Sequence, residues 1–292
     1  MIKLDLYMVK LDLYIGILGS LIIEIDFDKA VTKPRFSEKR YNETFKDLSV
    51  KFAYHGSSIF TLLHGLNLNE NGDTNRIDDN CSAAILLRAQ LECLLMLHHI
   101  YLNTENDDEK ELRYYAWIYS AMLDQKNISL LFEEGEKIKE KNEREICKFK
   151  DSIKKLDSFN KLSCKEQKRL LSNPRSFKSL KKKMEEAGFR LSFWSDKVYK
   201  TYLCDHAHSG LTSVATLKRH QNDKNVKRDI AMCSITLTCG LIQRIVDTFK
   251  LEAELEAELE AKIEKAELEA KIEKAIDIKS DIKEIADRLY NQ

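Results

Sequence analysis

Ile85-Leu86-Leu87-Arg88-Ala89-Gln90-Leu91-Glu92-Cys93-Leu94-Leu95-Met96-Leu97-His98-His99-Ile100 decides the fold. Its apolar residues leave little polar face, so the helix it predicts, from about Asp79 to Leu102, belongs in the interior and is buried nearly all round. A helix of that kind needs other helices around it. Two prolines and nine glycines in 292 residues, with 33% charged residues, favour long helices over short strands joined by turns. The expected fold class is mainly α: an antiparallel helical bundle over residues 34–250, with a long charged C-terminal helix.

Upstream, a helix is expected from about Phe36 to Leu66, then a loop rich in Asn, Gly and Asp over 67–76. Downstream, helices are expected from about Asp108 to Phe132, with Trp117 and its aromatic neighbours read as core packing, and from Glu133 to Leu156 at the bundle's edge. A short helix over Ser179 to Ala187 stops at Gly188. Arg228 to Phe249 completes the bundle.

Two ends differ from this body. Residues 1–33 form an N-terminal extension. Lys-Leu-Asp-Leu-Tyr occurs at 3–7 and again at 10–14, and Ile23, Ile25 and Phe27 alternate with acidic residues. The alternation suggests a small hairpin turning at Gly16 to Ser20, while the seven-residue repeat suits a helix equally. From Leu251 to the end, Leu-Glu-Ala-Glu tetrads lead into a nine-residue unit at 258–266 that recurs at 267–275. Apolar residues there fall mostly four apart, so the stripe drifts around the helix and a left-handed coiled coil is not the natural fit. That amphipathic helix either docks on its own bundle or joins a second copy or a protein partner, and a homo-oligomer is the expectation.

Seven scattered cysteines without a Cys-x-x-Cys pair suggest neither a disulfide framework nor a zinc ribbon, and a reducing cytoplasm fits them. The apolar run Ile15 to Ile23 is too short to span a bilayer, so no membrane partner is expected. Lys+Arg and Asp+Glu balance at 48 each, yet Lys161 to Lys183 holds nine basic residues against the single Glu166. Lys165, Lys168, Arg169, Arg175, Lys178, Lys181, Lys182 and Lys183 are therefore candidate phosphate contacts, with a solvated helix face as the plain alternative.

Arg88, Glu92 and His99 share one stripe of the central helix, where an unpaired charge would be costly to bury, so Arg88 and Glu92 are expected to pair. The densest cluster of reactive side chains lies at 199–210. At about 100° per residue, Tyr199, Tyr202, Leu203 and His206 take one face as packing residues, and Cys204, Asp205 and His208 the other. Asp205 sits three residues before His208 and can orient its imidazole. Cys204 lacks an oxyanion site and reads as inert. The two histidines of this segment diverge, so neither a metal nor another cofactor is expected. No Gly-x-x-x-x-Gly-Lys loop marks a nucleotide pocket of that type.

Leu86-Leu87-Arg88-Ala89-Gln90-Leu91-Glu92, followed by Tyr202-Leu203-Cys204-Asp205-His206-Ala207-His208, resembles an uncharacterised bacterial all-helical family, a domain of unknown function with an Arg…Glu helix and a later Leu-Ser-x-x-x-His segment. Cys204 stands where that family usually has serine. More distantly the chain resembles HEPN-type helical ribonucleases of toxin and phage-defence systems, whose signature is Arg-x(4–6)-His. It departs from them, since Lys200 precedes His206 and Tyr202 precedes His208 at that spacing.

Two functions follow as expectations. In the first, the protein acts on RNA as a ribonuclease-like member of a defence or toxin system: His208 works as acid/base oriented by Asp205, Arg88 stabilises phosphate charge, and Glu92 fixes Arg88. In the second, it is a non-catalytic adaptor or oligomerisation protein whose Arg88, Glu92 and His208 form a buried polar network.

Overall fold

A computed structural model describes residues 2–25, 38–67, 76–77, 79–103, 106–128, 135–174, 179–204 and 223–251, with 282, 284 and 285. The protein is mainly α. In order come α1 (Ile2–Glu24), α2 (Glu38–His64), α3 (Asn80–Leu97), α4 (Asp107–Ile128), α5 (Gly135–Lys154), α6 (Asp157–Asn160), α7 (Cys164–Ser172), α8 (Leu180–Glu186), α9 (Leu191–Phe193) and α10 (Lys224–Phe249). Two helices run on into wider π-type turns, α3 over His98–Leu102 and α9 over Trp194–Leu203. A two-residue antiparallel bridge pairs Leu66 with Ile77 and Asn67 with Arg76.

The main core is built by α1, α2, α3 and α10, which pack on one another, α2 against α3 most extensively. Phe45, Phe52, Ile59, Leu87, Leu91, Leu94, Leu241 and Ile245 are fully enclosed there. Polar contacts cross it too: the Ser234 hydroxyl of α10 donates to the Gln90 side-chain carbonyl of α3 at 2.8 Å, and the Tyr41 hydroxyl of α2 to the Ile100 carbonyl at 3.3 Å. The Asp79 carboxylate caps α3 by accepting from the Ser82 amide at 3.0 Å, leaving fewer orphan donors at a buried helix start.

The N-terminal hairpin expectation is corrected. Ile2–Glu24 is one helix, because Met8, Leu11, Tyr14, Leu18, Leu21 and Ile22 fall three or four apart and line its buried side against α2 and α10. The alternation that suggested a strand fails at Ile23, which is 76% exposed at the helix end.

A second, smaller core lies where α4 meets α5, α6 and α7, around Leu112, Ala116, Tyr119, Ile153, Phe159 and Leu170. Asp108 fastens it, since its carboxylate accepts from the Asp157 and Ser158 amides at the start of α6. Glu166, the one acid of the basic run, is absorbed locally: it closes a capping box with Ser163 at the start of α7. The α8 helix ends at Gly188, whose φ of 74° is readily adopted only by glycine, as its position predicts.

α10 stops at Lys250 in the left-handed conformation, and Leu251 folds back into the main core. Most of the C-terminal helix expectation lies outside the described residues. Ile282 is nonetheless buried in the main core and Ile285 packs against it. Asn80–Leu102 and Lys224–Phe249 are long and apolar enough to cross a membrane, and each has more than half of its apolar window buried inside the chain.

Gly56 on α2 marks a close approach of α1, α2 and α3. A Cβ there would sit 3.0 Å from both Gln90 Nε2 and Ile15 Cδ1. Gly56→Val is expected to cost about 1–3 kcal/mol through overpacking, read as a lower urea midpoint at unchanged slope. An unchanged midpoint would contradict the close approach.

Candidate functional site

Arg88 and Glu92, one turn apart on α3, form the expected pair, with Arg88 Nε donating to Glu92 Oε1 at 3.0 Å. The Tyr199 hydroxyl donates to the same oxygen at 2.9 Å, and the Arg88 guanidinium carbon lies 5.0 Å from the centroid of the Tyr199 ring. Burial alone would weaken the guanidinium's charge, but its bond to Glu92 and the neighbouring Tyr199, Glu92 and Cys204 outweigh this and hold its pKa above the ordinary value. Burial, followed by the bond to Glu92, pushes the Tyr199 phenol up to about 12, so it stays a donor.

Two expectations are corrected here. The pair is not deeply buried, its side chains being 26% and 44% exposed. Ile85, Arg88 and Glu92 share the one face of α3 that its neighbours leave partly open, and apolar content alone does not say which face that is. Tyr199, read as packing, belongs to the polar cluster. Trp194–Leu203 is wound with i→i+5 bonds, as in Cys204 N–H to Tyr199 C=O. The wider winding changes the angular register of this segment from the 100° per residue of an α-helix, and Tyr199 turns to Arg88 and Glu92. Asp205 and His208 lie outside the described residues, as do Arg175 and Lys178.

His99 does not join Arg88. It sits where α3 widens, its Nδ1 3.6 Å from Glu186 Oε2 on α8, and its carbonyl accepts from Arg113 Nη1 at 2.8 Å. Arg113 also pairs with Glu109 on α4. Next to it His98 is buried, and burial, with Arg244, His99 and Arg113 nearby, lowers its pKa to about 3, so the ring is neutral. Lys183 of the basic run turns inward, its Nζ 3.1 Å from the Met96 sulfur, whereas Lys165, Lys168, Arg169, Lys181 and Lys182 are exposed.

A half-open cleft of about 270 Å³ lies at this end of α3. Its floor is one face of α4, where Arg113, Trp117, Ser120, Ala121 and Asp124 succeed each other, with Met96, His99, Pro174 and Lys183 as walls. Those spacings of three and four were readable in the sequence, but nothing there distinguished a lined cleft from a packed face. Among the described residues no group of three or more His, Cys, Asp or Glu side chains is arranged to hold a metal. Burial pushes the Cys93 thiol up to about 11, which leaves it inert. No family model, curated protein or solved structure matches the chain.

Two outcomes follow. Tyr199→Phe is expected to cost about 1 kcal/mol by removing one hydrogen bond to a carboxylate at the surface, seen in chemical denaturation. For His98, unfolding releases an imidazole that takes a proton at its ordinary value of 6.5, while the folded ring resists until about pH 3. Stability is therefore present above pH 6.5 and is lost as pH falls from there towards 3. His98→Phe is expected to flatten that part of the stability–pH curve, and an unchanged slope would show that other groups carry it.

Proposed function

We propose that the protein acts on RNA in the cytoplasm, as a ribonuclease-like component of a bacterial defence or toxin-type system. The Arg88 guanidinium carries this reading. Glu92 holds its Nε and the Tyr199 ring backs it, which leaves its two terminal nitrogens without a hydrogen-bond partner among the described residues, on a partly exposed side chain. A fork fixed in this way suits two oxygens of a phosphate. From Tyr199, which meets Arg88 and Glu92, the chain runs on within a few residues to Asp205 and His208, the candidate acid–base pair. Exposed Lys165, Lys168, Arg169, Lys181 and Lys182 supply charge for a backbone. The reading takes residues 34–250 as an antiparallel bundle and 251–292 as a docking or self-association helix, and the buried Ile282 supports docking of its far end.

A second reading, the non-catalytic adaptor, is favoured by the Tyr199–Glu92 bond, which ties two segments 107 residues apart and so has a structural use of its own.

A fluorescent single-stranded RNA separates the two. His208→Ala is expected to slow cleavage roughly 10²- to 10⁴-fold, and Arg88→Ala about 10²-fold or more, with helical content unchanged by circular dichroism. Full cleavage by both variants ends the enzymatic reading. A lowered melting temperature in variants of a wild type that cuts no RNA supports the adaptor.

A further inference from the structure

The cleft beside His99 is distinct from the Arg88 fork and lies at the other end of the same stripe of α3, beyond Met96. Its floor is a graded surface. Along α4 a cation (Arg113) is followed by a flat aromatic (Trp117), then two small residues (Ser120 and Ala121) and a carboxylate (Asp124), all on one face at helical spacing. The eleven steps from Arg113 to Asp124 span about 16 Å at 1.5 Å per residue, so the charged ends stand far enough apart to meet opposite ends of one small molecule.

The cationic end is built, not incidental. Arg113 is 93% buried by its 7% side-chain exposure, is held by Glu109 and the His99 carbonyl, and keeps a buried Nε without a hydrogen-bond partner. Lys183 of α8 lines the same cleft, its ammonium 3.1 Å from the Met96 thioether. Trp117, half-buried and lining the middle, offers an aromatic surface between the two ends.

We propose that this cleft binds one nucleotide, its phosphate at Lys183 and Arg113, its base against Trp117, and an amino group of the base towards Asp124. Stacking on an aromatic side chain beside cations is how proteins hold nucleotides without a glycine-rich phosphate loop, and this chain has no such loop. The volume of about 270 Å³ sits just below the roughly 300 Å³ at which small-ligand pockets begin, so it takes one unit and not a stretch of polymer. That unit is either a free mononucleotide or the phosphorylated end of an RNA strand. The inference goes beyond the proposed cleavage function and does not require it.

Isothermal titration calorimetry of the full chain tests it with AMP, CMP, adenosine, inorganic phosphate and a 5′-phosphorylated ten-residue RNA. Saturable binding of AMP or CMP, with adenosine and phosphate each at least tenfold weaker, is expected. Tighter binding of the phosphorylated strand than of its unphosphorylated counterpart would make a strand end the source; equal or weaker binding would make it the free mononucleotide. Lys183→Ala is expected to weaken mononucleotide binding at least tenfold, and Ala121→Trp, placed at an exposed position to fill the cleft without disturbing the core, to abolish it. Because Arg113 also anchors the fold, it is left intact. Absence of mononucleotide and strand-end binding, or affinities untouched by both variants, overturns the proposal. Binding is read without cleavage, so loss of the RNA-cutting result leaves this one standing, and the reverse holds too.

Discussion

The whole arrangement depends on satisfying the few polar residues of one apolar helix. α3 sits among α2, α10 and the segment at 194–203, and a polar group withdrawn from water there needs a partner. Three of them recruit different neighbours: Gln90 takes Ser234 of α10, Glu92 takes Tyr199, and the turn at His99 takes Arg113 of α4 and faces Glu186 of α8. The polar residues thereby select which face of the helix meets which element, a choice that apolar packing alone leaves loosely determined.

The two candidate sites arise from the same requirement. At one end the Arg88–Glu92–Tyr199 cluster is open enough to admit a ligand, and at the other Arg113 and Lys183 converge over a cleft. Met96 lies between them on α3, one turn beyond Glu92 and in contact with Lys183. The basic run is correspondingly divided, with most of its described cations facing water and Lys183 turned inward.

Much of the helical pattern was legible because long apolar runs and strong capping residues leave few alternatives. Asp79, Ser179 and Gly188 mark helix ends through local bonds or backbone geometry, whereas the helix that Ser163 caps was not read from the basic run. The Arg88–Glu92 pair was legible for the same reason, since offset four makes neighbours on any α-helix. Tyr199 was not, because its role depends on a π-type winding that changes the angular register. The N-terminal residues were ambiguous on periodicity alone, and burial against α2 and α10 decided for the helix. The cleft on α4 needed a third dimension: the same face that packs Ala116 into the second core presents Trp117 to the opening.

α1 packs on α2, close by in sequence, and on α10, so part of the cover for residues 2–24 comes only from residues 224–249. Such contacts have high sequence separation and are slow to form. On a ribosome adding about 5–20 residues per second, α1 emerges roughly 10 s or more before α10. Through that interval the face carrying Leu11, Tyr14, Leu18 and Leu21 has no α10 to cover it. A nascent chain halted before residue 224 therefore leaves part of the apolar face of α1 without its α10 cover, a surface for chaperones to bind.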